Sequence, residues 1–119
     1  MPDVLLIEEN DATRDILQKE LSQLGCRVTM CDCAEEGLEL FEKIKFDAIF
    51  TDLCMRDMSA RSLARIVKER FPQTKIFVIT GWKGELDQKI MEKEGFLAVI
   101  NKPIDFSKFR DLIQQHLGP

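Results

Sequence analysis

The sequence predicts an α/β domain in which five parallel strands form one sheet covered by helices on both faces. Three observations lead there. Five short apolar runs recur along the 119 residues, each too short for a helix and each followed by a stretch with apolar residues at three- and four-residue spacing. Most runs end in polar or charged residues, as expected where a buried parallel strand opens into a crevice. The length suits a single core, so one domain spanning 1–119 is expected.

The first run, DVLLI at 3–7, stops at Glu8 and Glu9. Asn10 or Asp11 caps the following helix, whose Ile16, Leu17, Leu21 and Leu24 repeat until Gly25 ends the pattern. CRVTM at 26–30 is a weaker strand; Arg27 and Thr29 alternating with apolar neighbours suggest a sheet edge. A helix from about Ala34 to Ile44 presents Leu38, Phe41 and Ile44 on one side. DAIFT at 47–51 is a buried strand ending at Asp52, followed by the loop LCMRDMSA and a helix carrying Leu63, Ile66, Val67 and Arg70. The segment from Thr74 to Thr80 contains KIFVI and breaks at Gly81; Leu86, Ile90 and Met91 mark a shorter helix closed by Gly95. LAVIN at 97–101 is the fifth strand, ended by Lys102 and Pro103, and Phe106, Phe109, Leu112, Ile113 and His116 or Leu117 mark the last helix.

Charge and composition narrow the function. Lys plus Arg is 17 and Asp plus Glu is 21, a net charge of −4 with His116 neutral. That balance argues against direct nucleic-acid binding by this domain. No apolar stretch is long enough to span a membrane and no signal segment precedes the first strand, so a cytoplasmic chain without a membrane partner is expected. Cys26, Cys31, Cys33 and Cys54 lack the paired spacing of a structural zinc site and are expected to be reduced, mostly structural thiols. His116, near the C-terminus at helix spacing, reads as a cap or interface residue rather than a catalyst.

In parallel sheets the ligand crevice lies at the carboxyl ends of the strands. Strand one delivers Glu8 and Glu9 there, strand three Asp52, strand four Thr80 and strand five Lys102. Crowded carboxylates are relieved by a hard divalent cation, with Mg2+ and its oxygen ligands the simplest choice. An acidic nucleophile, a hydroxyl and an ammonium suit phosphoryl transfer to Asp52, with Thr80 and Lys102 donating to the oxygens on which charge develops. Strand-end polar residues are common, however, and the set does not by itself name a donor.

Four segments in order then give the chain a family likeness: VLLIEEN at 4–10, DAIFTDLCM at 47–55, IFVITG at 76–81 and VINKP at 99–103. Over residues 3 to 117 the chain resembles the receiver domain of bacterial two-component response regulators. The resemblance implies a flavodoxin-like (βα)5 three-layer sandwich with strand order 2-1-3-4-5. It also implies Asp52 as the phosphorylated aspartate, Thr80 as the switch hydroxyl and Lys102 as the phosphate-binding lysine, with the Lys102–Pro103 bond cis. Mg2+ falls to Glu9 directly, Glu8 through water, Asp52 and the backbone carbonyl of Cys54. The implied partners are a histidine kinase or phosphotransfer protein and a downstream effector or output domain; a dimer through the last helix is compatible with its apolar residues.

Several positions depart from the family pattern. Glu8 and Glu9 stand where at least one aspartate is usual, Arg56 replaces a proline and Ala60 a glycine. Arg56 either contacts the phosphoryl group or a partner, or is simply solvated. Val99 stands in place of a switch Phe or Tyr, so output is expected to run through other packing changes in residues 83–94 and 106–117. Cys54 and Trp82, two residues after Asp52 and Thr80, match positions that flank the phosphoryl group, and Trp82 is expected to slow its loss by excluding water. These departures also suggest an alternative, a phosphorylation-independent pseudo-receiver that serves as an interaction module. A flavin protein is disfavoured because strand one leads into two acids rather than a Gly/Ser/Thr-rich phosphate loop. Hydrolase chemistry is disfavoured because the lone histidine is remote from Asp52 and Thr80.

Overall fold

The computed structural model describes residues 1–53, 55–81 and 88–118, and the side chains of these except at 88–90. Five βα units follow one another: β1 Asp3–Ile7, α1 Asp11–Gln23, β2 Arg27–Cys31, α2 Ala34–Lys43, β3 Ala48–Asp52, α3 Ala60–Arg70, β4 Lys75–Thr80, α4 Gln88–Lys93, β5 Ala98–Asn101 and α5 Phe106–Leu117. The sheet runs β2-β1-β3-β4-β5 with every pair parallel. This is the predicted order, with β2 at an edge.

Strand alternation sends successive side chains to opposite faces and builds two cores. Val4, Leu6, Ala48, Phe50, Phe77 and Ile79 pack with Leu17 and Leu21 of α1 and Phe109 and Ile113 of α5. Leu5, Ile7, Ile49, Ile76 and Val78 pack with Phe41 of α2, Leu63 and Val67 of α3 and Met91 of α4. Phe50 stacks on Phe77 at 4.6 Å between ring centroids and meets Phe109 edge-on at 6.0 Å, tying β3 and β4 to α5.

Local chemistry sets the helix ends. Asn10 rather than Asp11 caps α1, its side chain accepting from the Thr13 amide at 2.9 Å. Ser59 caps α3 and Asp105 caps α5 in the same manner. Gly25 and Gly95 take positive φ, 91° and 100°, where a side chain would be strained, and end α1 and α4 as the sequence predicts.

Some boundaries differ from expectation. β2 begins at Arg27 because the Cys26 amide donates to Leu21 O at 3.0 Å, assigning Cys26 to the end of α1. Asp52 is the last residue of β3, in register with Ile79, rather than the first residue beyond the strand. Ile44 does not join Phe41 on the buried side of α2: it lies past the last turn with extended backbone and is exposed. Ile16 is 49% exposed because the buried stripe of α1 contracts to Leu17 and Leu21. Trp82, Cys54 and Leu86 lie outside the described residues. Among those described, no helix is long and apolar enough to cross a membrane.

The contrast between Phe50 and Ile16 gives a direct packing test. Phe50→Ala is expected to lower the unfolding free energy by about 3–5 kcal/mol, since it removes a ring shared by three elements. Ile16→Ala is expected to change it by no more than about 0.5 kcal/mol. Urea unfolding of both variants measures this, and similar losses in the two would contradict the assignment of the core.

Candidate functional site

Parallel register gathers the polar strand ends. Ile7 pairs with Thr51 and Asp52 with Ile79, so Glu8, Asp52 and Thr80 leave three adjacent strands at the same edge, and Thr80 pairs with Asn101 just before Lys102. The Lys102 amide donates to Thr80 O at 2.8 Å, anchoring the start of the β5–α5 loop to β4. The Lys102–Pro103 bond is cis, as the resemblance implies. Pro103 is exposed, and Val99, half-buried on β5, packs towards the α2–α3–α4 core.

The Lys102 ammonium reaches back over the edge of the sheet. Nζ donates to Glu8 Oε1 at 2.8 Å and to Asp52 Oδ1 at 3.2 Å. Glu8 is 1% exposed and Asp52 is also buried. The second Glu8 oxygen accepts from the Asn10 amide at 3.2 Å, and Arg14 of α1 donates to Glu8 O at 2.8 Å. Glu8 is thus fixed from several sides, whereas Asp52 Oδ2 accepts a long bond, 3.4 Å, from the Glu9 amide.

This asymmetry divides the charge. Burial alone pushes both carboxyls up. At Glu8 the hydrogen bonds with Asp52, Lys102 and the Asn10 amide outweigh burial, so its pKa falls below the ordinary value. At Asp52 burial is the largest influence and the hydrogen bond and charge of Glu8 add to it, against the opposing pull of Lys102, raising the carboxyl to about 7. The hydrogen bond with Asp52 is the largest of the influences that lower Glu8, and the contact with Lys102 adds to it. Burial works against the ammonium, but the two acids outweigh it and raise the Lys102 pKa.

Glu9 behaves differently from its neighbour. It is exposed, and Oε1 accepts from the Arg56 amide at 2.8 Å. Glu8, Glu9 and Asp52 do not form a group of ligand atoms mutually within 4.8 Å; among the described residues Asp32, Cys33 and Glu36 alone do so. The donor set at the strand edge is nevertheless all oxygen, which fits a hard cation, and one that used all three acids requires the Glu9 carboxylate to draw closer to the other two, with Oε2 available while Oε1 accepts from the Arg56 amide. The Arg56 guanidinium lies 3.8 Å from Asp32 and against Cys33, so its side chain leans towards the β2–α2 loop.

Thr80 ends β4 in a buried position. Cys54 and Trp82 lie outside the described residues. Cys31 is buried, which pushes its thiol up to about 12, and it donates to Cys33 O at 3.5 Å, features of a structural thiol. His116 sits with its ring 6.0 Å from Phe77 and its carbonyl accepting from Lys75, at the opposite edge of the sheet. Two residues at this edge escaped the sequence reading. Arg14 signals itself only through its three-residue spacing from Asp11, with which it pairs at 2.5 Å. Asp57 is hidden as one more loop acid, yet its carboxylate accepts from the Ala34 and Glu35 amides of α2.

Known proteins share both this sequence pattern and this fold. The family model described as response regulator receiver domain matches residues 4–114. The response regulator protein PilR of Pseudomonas aeruginosa is 28% identical over 110 residues, covering 92% of this chain but 24% of PilR. The chain therefore spans about a quarter of that relative. A response regulator receiver domain protein from Clostridium thermocellum superposes with a TM-score of 0.87 at 24% identity, covering 98% of this chain and 94% of that one. The receiver domain of the sensor histidine kinase PA1611 from Pseudomonas aeruginosa, solved with a magnesium ion coordinated in its active site cleft, gives 0.85 at 21% identity, covering 99% and 98%. With the matched segment running from β1 into α5 and the acids and lysine meeting at one sheet edge, the chain belongs to the receiver domains of two-component response regulators.

Proposed function

We propose that residues 1–119 act as one receiver domain that accepts a phosphoryl group on Asp52 from the phosphohistidine of a histidine kinase or phosphotransfer protein. The observation that carries this reading is the Lys102 ammonium set between buried Glu8 and Asp52 at the carboxyl edge of the sheet. An Asp52 oxygen forms the new bond to phosphorus as the phosphorus–nitrogen bond of the donor breaks and the imidazole leaves with the electron pair. Asp52 reacts as its carboxylate, so the proton that burial and Glu8 favour must leave first. Lys102 exchanges part of its contact with Asp52 for an oxygen of the incoming group, and Thr80 donates to another.

Glu8, Glu9, Asp52 and the Cys54 backbone carbonyl are the residues that would hold Mg2+. When bound, the ion supplies charge neutralisation for the acids and the transferring oxygens. Glu8, buried and fixed by Asn10, Arg14 and Lys102, serves best as an outer anchor, while exposed Glu9 is the acid free to turn inwards. Output then runs through Thr80 and the packing of residues 83–94 and 106–117 against an effector or output domain, since Val99 offers no aromatic ring. Trp82, two residues past Thr80, shields the acyl phosphate from water. The chain works in the cytoplasm, without a membrane or nucleic-acid contact of its own. No observation among the described residues favours the phosphorylation-independent alternative.

Incubation with Mg2+ and a small acyl phosphate, read by intact mass, tests the acceptor. A phosphoryl adduct is expected on the parent and not on Asp52→Asn. Equal adducts on both, or none on the parent with either the small donor or a phosphorylated histidine phosphotransfer protein, would contradict it. In a chase after donor removal, Trp82→Ala is expected to lose the label several-fold faster than the parent, on the order of the effect of opening a site to water. Equal lifetimes would remove Trp82 from the account.

A further inference from the structure

Helix α2 begins without a cap of its own. Cys33 has the extended backbone of an N-cap residue, φ −147° and ψ 160°, but its side chain makes no capping hydrogen bond. The exposed amides are met instead from another part of the chain. Asp57 Oδ1 accepts from the Ala34 amide at 3.2 Å and Oδ2 from the Glu35 amide at 2.8 Å. Both carboxylate oxygens are engaged, and a charged acceptor at the positive end of a helix is favourable. These amides, that of Glu35 foremost, hold the Asp57 carboxyl below the ordinary range.

Asp57 belongs to the loop joining β3, which ends at Asp52, to α3. The adjacent Arg56 amide donates to Glu9 at 2.8 Å, the Met55 amide to Met58 O at 3.3 Å and the Ala60 amide to Leu53 O at 2.9 Å. The Arg56 guanidinium adds a looser contact to Asp32, just before α2. The loop is therefore tied to the β1–α1 connection on one side and to the first turn of α2 on the other.

We propose that Asp57 is a positioning residue: by capping α2 across the loop it fixes residues 55–58, and so sets where Arg56 holds the Glu9 carboxylate at the edge of the sheet that carries Asp52. The inference rests on the acceptor reading of Asp52 for its consequence in phosphoryl transfer, but not for the tie itself. It makes α2 a lever on the site, because a displacement of its first turn pulls on Asp57 and is passed to the amide that holds Glu9.

Three variants of the full chain separate positioning from capping: Asp57→Ala, Cys33→Ser, and the two together. Serine at position 33 gives α2 a local cap without a tie to the loop. In Asp57→Ala, amide exchange is expected to quicken at Arg56 and Glu35 by roughly ten-fold, the loss of about one charge-assisted hydrogen bond, and Asp52 labelling is expected to slow several-fold. Adding Cys33→Ser is expected to restore thermal stability and protection at Glu35 while leaving Arg56 exchange fast and labelling slow. Unchanged Arg56 exchange in Asp57→Ala, or its full recovery in the double variant, would overturn the proposal and leave Asp57 a cap alone. If Asp57→Ala does not fold, Asp57→Asn, which keeps one acceptor oxygen, takes its place with the same comparison. If the parent accepts no phosphoryl group, the acceptor reading falls, and Arg56 exchange still decides the positioning role.

Discussion

The arrangement at the carboxyl edge depends on one ammonium held between two buried acids. Glu8 and Asp52 leave neighbouring strands in a setting where burial alone would drive both to the neutral form. Lys102, delivered from β5 across β4, makes the pair tolerable by bonding both. Its side chain remains 29% exposed, so the interaction is weaker than one sealed in the interior, and a competing anion has a path to it. A charge that is satisfied in the resting protein but reachable from solvent is well suited to exchanging a carboxylate partner for an incoming phosphoryl oxygen.

Around that centre the supports differ in stiffness. Glu8 is locked by strand pairing, by the Asn10 amide and by Arg14. Among the described residues the Glu9 carboxylate is held by an amide of the β3–α3 loop, and that loop answers to α2 through Asp57. The paired glutamates are therefore unequal: one belongs to the core, the other to a surface loop with its own anchor. Departures from the family pattern at Glu9 and Arg56 meet in a single hydrogen bond, so the longer acid and the loss of proline are best understood together. Proline at position 56 would have no amide hydrogen to offer Glu9.

Much of this is legible in the sequence, for identifiable reasons. A parallel sheet buried on both faces writes itself as continuous apolar runs, and VLLI, AIF and IFVI show it; the polar residue that stops each run marks the functional edge. Those stops alone assign Glu8, Glu9, Asp52, Thr80 and Lys102 to one edge of the sheet. What stays hidden depends on side-chain reach between distant segments. Periodicity says nothing about which acid Lys102 approaches more closely, nor that Asp57 crosses to α2, because neither contact lies within one element. Boundary errors are equally local: Cys26 is apolar enough for a strand, but its amide serves the end of α1. Ile16 and Ile44 fit helical spacing, yet the buried stripe of α1 is too narrow for the first and α2 stops before the second.

Lys102 offsets the two acids, and the pH dependence of stability tests this most directly. In the parent, burial and Glu8 raise the Asp52 carboxyl to about 7 against an unfolded value of about 3.9, so its contribution to stability falls as pH rises across that window. Glu8, with its folded value lowered, contributes stability above its unfolded pKa and loses it as pH falls through the folded one. Lys102, with its value raised, contributes fully below about pH 10 and loses that only at higher pH. Removing the ammonium takes away what lowers both acids and extends the unfavourable window above neutrality. Urea unfolding of the parent and Lys102→Met at about pH 5 and about pH 8 should therefore show a larger loss of stability at the higher pH. A loss that is equal at the two, or larger at the lower, would contradict the account.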